Sequence, residues 1–483
     1  MQARAMDPTE WAHQEFCQAE LGDVRRTRRL VAVAAALAEE SHGTLPRSFD
    51  GWGELKAVYR LLGRSDVTYD RILQPHRSQT RRGCGEPGQY LLLEDTTALD
   101  FSSHHAVEGM GEIGDGGGVG LYLHSTLGLK VHGWNAEQEP QVTILGLFAQ
   151  QCWARTQPTG ATRERKRSRL KRHRESERWA SSLAETGGPP SGARWTYIAD
   201  RESDIFEVFQ RCETTRTDFI IRASQPRALA DQGGSVFQAV AEVPAQGRFS
   251  LYLRGRPARI KRAKKKGQRS RVCRPKQPGR TVELEVRSCR VQLQSPWRPQ
   301  VKASPLPVHV VDVRETDPPD GADPIHWVLL TSWPVHDLKA CMRVAKAYAC
   351  RWLIEEYHKA LKTGTGIENS QLGTAQQIES LLGVLAVVAV RLLNMKLLAR
   401  THGDVPVASV DLGPEVLAIL ESLYGPPKNG WTYATTLTAI ARLGGFLARK
   451  SDGLPGWITI WRGWEKLRLM LHGYDLLRGD KCG

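Results

Sequence analysis

Tyr90-Leu91-Leu92-Leu93-Glu94-Asp95 is an apolar run that stops on two carboxylates, and Trp195-Thr196-Tyr197-Ile198-Ala199-Asp200 ends in the same way. Each reads as a buried strand whose aspartate emerges at the sheet edge, where a side chain is held rigidly. Brought side by side, Asp95 and Asp200 would offer the hard oxygen donors that Mg²⁺ prefers. An aspartate after a strand is as often a turn or helix cap, so neither stretch alone decides the chemistry.

Outward from these runs, strands are expected at Val119–Val131 and Gln141–Ala149, with Gly-rich connections, then a helix around Glu175–Glu185 before the second run. A helix at Ser203–Arg211 and a strand at Phe219–Arg222 follow. Three strands able to form a meander, then alternating helices and strands, is the order a ribonuclease H-like α/β sheet requires. Between about Ala223 and Asp323 the periodicity turns to two, as in Arg248–Leu253 and Val282–Val286, which predicts a mostly β insertion. Within it, residues 254–280 carry Arg or Lys at about half their positions and no acid, a stretch expected not to pack on itself but to meet phosphate.

The first 75 or so residues read as helical and basic. Gly22-Asp23 precedes Arg25, Arg26, Arg28 and Arg29, with Leu30, Val33, Ala34 and Leu37 at helical spacing. A second helix carries Trp52, Leu55, Val58, Tyr59 and Leu62 on one face and stops at Gly63. The charged face suits contacts to a DNA backbone, or is an ordinary solvated face. After residue 325 come a strand, a long helix containing Glu355, an apolar helix near 376–400, and helices at Trp431–Leu443 and Trp461–Leu471. The last of these puts Trp461, Trp464, Leu467 and Leu471 on one face, which either closes the core or meets another subunit.

At 483 residues the chain should divide into two to four units. Its formal charge of +15 and pI near 9.5 point to a polyanion. The apolar run Leu381–Val390, bounded by Glu379 and Arg391, falls short of the roughly 20 residues a bilayer span needs and reads as a buried helix. The first seven residues lack an apolar signal region, and nine cysteines without any C-x-x-C suggest reduced thiols in a cytoplasm and no zinc site.

The third acidic element is the most specific. Tyr348, Arg351, Glu355 and Lys362 are spaced to project from nearly one helix face. A glutamate among cations is commonly a surface ion pair; here the cations could grip phosphates flanking a metal-bound one.

The series Y-x₂-R-x₃-E-x₆-K at Tyr348, Arg351, Glu355 and Lys362 resembles the signature of insertion-sequence family four, the transposon-five type of bacterial DDE transposases. Glu94-Asp95-Thr96-Thr97, Asp200-Arg201-Glu202-Ser203-Asp204, Trp11 with Leu21-Gly22-Asp23, Ala439–Phe446 and Trp461-Arg462-Gly463-Trp464 agree with it, in order along almost the whole chain. The resemblance implies a helical DNA-binding domain (1–75), a ribonuclease H-like catalytic core (76–225 and 325–400) split by a β-rich insertion (226–324), and a helical dimerisation region (401–483). It implies that Asp95, Asp200 and Glu355 hold two Mg²⁺ ions, with Mn²⁺ able to substitute. By position, Tyr348, Arg351 and Lys362 would contact phosphates near the transposon end and Trp327 would stack on a flipped base, with Trp352 either assisting or packing in the core. Further DNA contacts are expected from Arg25, Arg26, Arg28, Lys264 and Lys265. Residues 163–174, very basic here, depart from the family pattern, so no role is inherited there.

The implied partners are double-stranded DNA, as transposon ends and target, and a second copy in a synaptic complex, in the cytoplasm of a bacterium at its nucleoid. No membrane and no nucleotide cofactor are expected. Gly109–Gly114 satisfies G-x-G-x-x-G but precedes a strand, where a dinucleotide site needs a helix. The E-x-x-H pairs Glu355/His358 and Glu10/His13 resemble di-iron ligands only in spacing. A DNA-binding inhibitor or domesticated relative without catalysis, and a structure-selective nuclease, are the alternatives to the transposase.

Overall fold

The computed structural model describes residues 8–39, 45–49, 51–104, 107–114, 117–155, 177–231, 233–253, 259–261, 271–274, 279–296, 304–319, 324–401, 403–407, 414–449 and 452–478. The chain opens with helices α1 (Pro8–Phe16), α2 (Val24–Glu39), α3 (Trp52–Leu62) and α4 (Tyr69–Cys84). In α2, Thr27, Leu30, Val33, Ala34 and Leu37 are buried at helical spacing, while Arg25, Arg28 and Arg29 stay exposed on the other side. Gly22, at φ +75°, turns the chain into this helix, and Asp23 Oδ1 accepts from Arg25 N at 2.8 Å. In α3, Leu55, Val58, Leu61 and Leu62 are buried, but Trp52, expected on that face, is 72% exposed. It sits in the first turn, ahead of the part of the helix that meets the core.

The strands are β1 (Gly88–Asp100), β2 (Gly111–Ile113), β3 (Gly118–Trp134), β4 (Pro140–Trp153), β5 (Ala193–Ala199), β6 (Asp218–Arg222), β7 (Gly247–Leu253), β8 (Arg259–Lys261), β9 (Arg271–Arg274), β10 (Arg280–Leu293), β11 (Leu306–Glu315) and β12 (His326–Thr331). Ten of them form one mixed sheet in the order β2-β3-β1-β5-β6-β12-β11-β10-β7, with β4 also on β3. Thus β1, β3 and β4 are the expected antiparallel meander, and β5 and β6 join it in parallel. From β6 onward every pairing is antiparallel. The β-rich stretch therefore extends the same sheet. Gly109 (φ +82°) and Gly114 (φ +63°) bracket β2, so the G-x-G-x-x-G stretch lies in a strand pairing with β3.

Helices α5 (Glu177–Thr186), α6 (Phe206–Thr214) and α7 (Val236–Glu242) belong to one side of the sheet. Trp179, Phe206, Phe209 and Val236 pack there with Tyr197, Ile221 and Leu330. Both faces of the central strands are thus covered, which explains their unbroken apolar runs. The residues of β8 and β9 form a separate antiparallel pair, so the basic stretch does pair with itself in part. Lys264, Lys265 and residues 163–174 lie outside the described residues.

After β12 come α8 (Leu338–Ala349), α9 (Trp352–Lys359) and α10 (Ala375–Thr401), then α11 (Pro414–Tyr424), α12 (Tyr433–Leu443) and α13 (Trp457–Arg478). The single long helix expected around Glu355 is broken at Cys350-Arg351 and ends in a π turn, Ala360–Gly364. Helix α10 runs 27 residues, as expected near 376–400; contrary to the expectation from Leu381–Val390, it is long and apolar enough to cross a membrane, and 72% of its most apolar window is buried inside the protein. It packs against α4, α2 and the π turn. Seven cysteines among the described residues are free.

Candidate functional site

Strand register brings the two aspartates together. Leu93 pairs with Ile198 in the parallel β1–β5 ladder. Two positions further along, the same register sets Asp95 beside Asp200. Asp200 follows the last residue of β5, as expected, whereas Asp95 is not at a strand end: β1 continues to Asp100, paired with β3, with Asp95 opposite Ser125. What ends near Asp95 is its parallel neighbour, and that opens one side of the strand. Asp95 Oδ1 accepts from Thr96 N at 3.0 Å, and Asp200 Oδ1 accepts from Glu202 N at 2.9 Å, capping the turn Arg201–Ser203.

Helix α9 lays Glu355 over this opening. Arg351, at its start, hydrogen-bonds the Glu355 carboxylate and brings Nη1 to 3.6 Å from Asp95 Oδ2. Burial pushes the Asp95 carboxyl up to about 7; Arg351 opposes the shift, and the charges of Asp200 and Glu355 reinforce it. His358 Nδ1 stands 3.8 Å from the same Asp95 oxygen. Its ring is buried and pushed down to about 3 by that burial and by Lys362, His124 and Arg351, so it is neutral at pH 7.

The other motif residues surround this centre. Tyr348 is buried, its hydroxyl held above the usual range by burial against the pull of Arg351 and Arg222. Trp327 meets the Tyr348 ring edge-on, 5.3 Å between centroids. Arg222, which no motif in the sequence marks, contacts Tyr348 and donates from Nη2 to His326 O at 2.7 Å. The helix is interrupted at residues 350–351 and widens into the π turn, yet Tyr348 interacts with Asp200 and Lys362 with Asp95, so both stay with the carboxylates. Lys362 also reaches β1, donating to Ala98 O at 2.5 Å, 3.9 Å from Glu368. Trp352 is partly buried under Arg400, at 4.4 Å.

A polar cluster lies beneath the site. Successive strand residues face opposite ways, so Glu94 points away from Asp95. It is 1% exposed and accepts from the Tyr197 hydroxyl and, at 3.0 Å, from Thr126 Oγ1. His124 Nε2 is 2.9 Å from Glu94 but off the ring's donor direction, while Nδ1 meets Thr96 Oγ1 at 2.8 Å. The sequence hint was a charged residue inside an apolar run.

No group of three or more His, Cys, Asp and Glu side chains among the described residues is close enough to share one metal ion. Asp95 with Asp200 and Glu355 nevertheless fits a hard divalent cation in donor type, because three carboxylates face one guanidinium and the buried one resists ionising.

At the other end of the chain the four expected arginines separate. Arg26 Nη1 meets Asp66 Oδ2 at 2.5 Å and Leu21 O at 2.9 Å, so this expected DNA contact ties the helical domain together. Residues 8–67 match the family model for transposase DNA-binding. The match supports a DNA-binding transposase, with DNA as its partner. It covers helices α1–α3, whose exposed basic side carries Arg25, Arg28 and Arg29.

Proposed function

We propose that the chain is a Mg²⁺-dependent DDE transposase of insertion-sequence family four. In this reading it binds terminal inverted repeats, cuts them by hydrolysis and hairpin formation, and joins the excised ends to target DNA as a homodimer in a synaptic complex. The carrying observation is the arrangement of Asp95, Asp200 and Glu355 around Arg351 in a chain whose first residues match transposase DNA-binding. The meander followed by two parallel strands supports a ribonuclease H-like core, extended through the β-rich stretch.

Asp95, Asp200 and Glu355 would hold two Mg²⁺ ions, or Mn²⁺, which activate the attacking oxygen and stabilise the leaving one. Arg351 neutralises Glu355 and part of Asp95 in the free protein. When DNA arrives, its guanidinium turns to a phosphate, where a forked donor binds best, and frees both carboxylates. Tyr348 and Lys362 hold neighbouring phosphates, and His358, neutral at pH 7, adds no competing charge. Trp327 stacks on an extruded base.

The runner-up is a binding-only inhibitor or domesticated relative, favoured by the Arg351 bridge that occupies both Asp95 and Glu355 in the free protein. The test uses a duplex carrying the repeat that flanks the gene. Asp95→Asn, Asp200→Asn and Glu355→Gln should each abolish cutting and joining while leaving duplex binding within about threefold, since phosphate contacts position and the metal cuts. Near wild-type cutting by any of them removes that residue from the triad; no cutting by wild type with Mg²⁺ or Mn²⁺ favours the inhibitor.

A further inference from the structure

Next to Glu355 on α9 stands Glu356, whose carboxylate is turned toward α10 and α13. It accepts from Lys359 Nζ at 2.7 Å, from Lys396 Nζ of α10 at 2.7 Å and from Trp457 Nε1 of α13 at 3.1 Å. Burial would push this carboxyl up, yet Lys396 and Lys359 hold it at about 2. Lys396 also lies 4.4 Å over the Trp457 ring, and Trp457 stacks on Trp461, 6.0 Å between centroids and 12° between planes.

Trp461 in turn presses on the π turn. A methyl group added to Gly364 would stand 3.0 Å from Trp461 Nε1 and 3.1 Å from Cζ2, so only glycine lets the indole come this close. Both tryptophans are nearly buried, at 7% and 6% exposure. The π turn is the segment that carries Lys362 to Ala98 of β1. One turn of α13 therefore touches the two places that set the catalytic geometry: the residue beside Glu355, and the turn holding Lys362.

We propose that Trp457 and Trp461 are positioning residues for cutting. They hold α9 and the π turn in the register that puts Glu355 and Lys362 against the Asp95 strand, so the C-terminal helix completes the site without touching DNA in it. The physical reason is that α9 is only eight residues long, ends in a π turn, and starts at a helix break. A helix this short has little stability of its own, and its position depends on what packs against it. Glu356 links it by charge to α10 and by an indole N–H to α13.

This rests on the function proposed above, and two readouts separate the two. Trp457→Phe keeps the ring stack but removes the donor to Glu356; Trp461→Ala removes the brace on Gly364. In amide hydrogen exchange on the full chain without DNA, both should speed exchange at residues 352–364 at least fivefold, with β1 and α2 unchanged. Unchanged protection at 352–364 in both variants overturns the proposal, whatever the protein does to DNA. In single-turnover cutting of the flanking-repeat duplex, Trp457→Phe should lower the rate at least tenfold and raise the Mn²⁺ concentration for half-activation, with duplex affinity within twofold. Cutting and Mn²⁺ dependence equal to wild type also overturn it. A wild-type chain that does not cut, with 352–364 loosened in both variants, would sink the transposase reading and leave the brace standing.

Discussion

Asp95 Oδ2 lies 3.6 Å from Arg351 Nη1, and the guanidinium facing this buried carboxylate does not offset the cost of burial. Asp95 titrates at about 7 in the folded protein, against about 4 in an unfolded chain. Between those values the folded state keeps a proton that the unfolded state has lost. Stability therefore falls as pH rises from about 4 to about 7 and then levels off. Without divalent ions, Asp95→Asn should stabilise the fold at pH 8 by roughly 1–3 kcal/mol and leave it unchanged near pH 4. Mg²⁺ should narrow the gap at pH 8 by stabilising the wild type. Thermal melts at the two pH values decide it: equal shifts at both would mean that Asp95 ionises freely.

Trp327 packs edge-on against Tyr348 beside the cluster. In Trp327→Ala, nicking should proceed at near wild-type rate while hairpin formation slows at least tenfold, and an abasic nucleotide at the flipped position should restore part of the loss. Denaturing gels resolve the two steps. If both slow together, the ring serves only to pack Tyr348.

The basic face of α2 divides by partner. Arg26→Ala, deprived of Asp66 and the Leu21 carbonyl, should destabilise the helical domain by about 1–2 kcal/mol. Arg25→Gln, Arg28→Gln and Arg29→Gln together should leave the melt unchanged and weaken duplex binding. The slope of log affinity against log salt should flatten by roughly 0.9 for each phosphate that is no longer neutralised. An unchanged slope would move the DNA-facing surface off α2.

Helices α12 and α13 touch through bare backbone. A methyl group on Gly463 would lie 1.7 Å from Ile440 O, and one on Gly444 would lie 1.8 Å from Thr459 O. Gly463→Ala should therefore force the helices apart, at a cost of about 2 kcal/mol or more. Proteolysis should then cut between residues 444 and 463 faster than in wild type, and full resistance would show that the helices adjust.

Which groups are candidates for chemistry was legible in the residues alone. Asp95 and Asp200 announced themselves by ending apolar runs, and the spacing of Tyr348, Arg351, Glu355 and Lys362 marked the third element, because residue type and local period are properties of neighbouring residues. The strands of the meander, and the alternation of helices and strands after it, were legible for the same reason. What those groups touch was settled by packing. Asp95 sits inside a strand because β1 pairs with β3 beyond the point where β5 stops. The helix expected around Glu355 is interrupted at residues 350–351 and ends in a π turn packed against α10 and α13. Arg26 is held by a residue 40 positions away, and Glu356 by one 101 positions away. Hydrogen bonds and burial across such separations depend on how elements pack, and packing leaves no local period for a sequence to show.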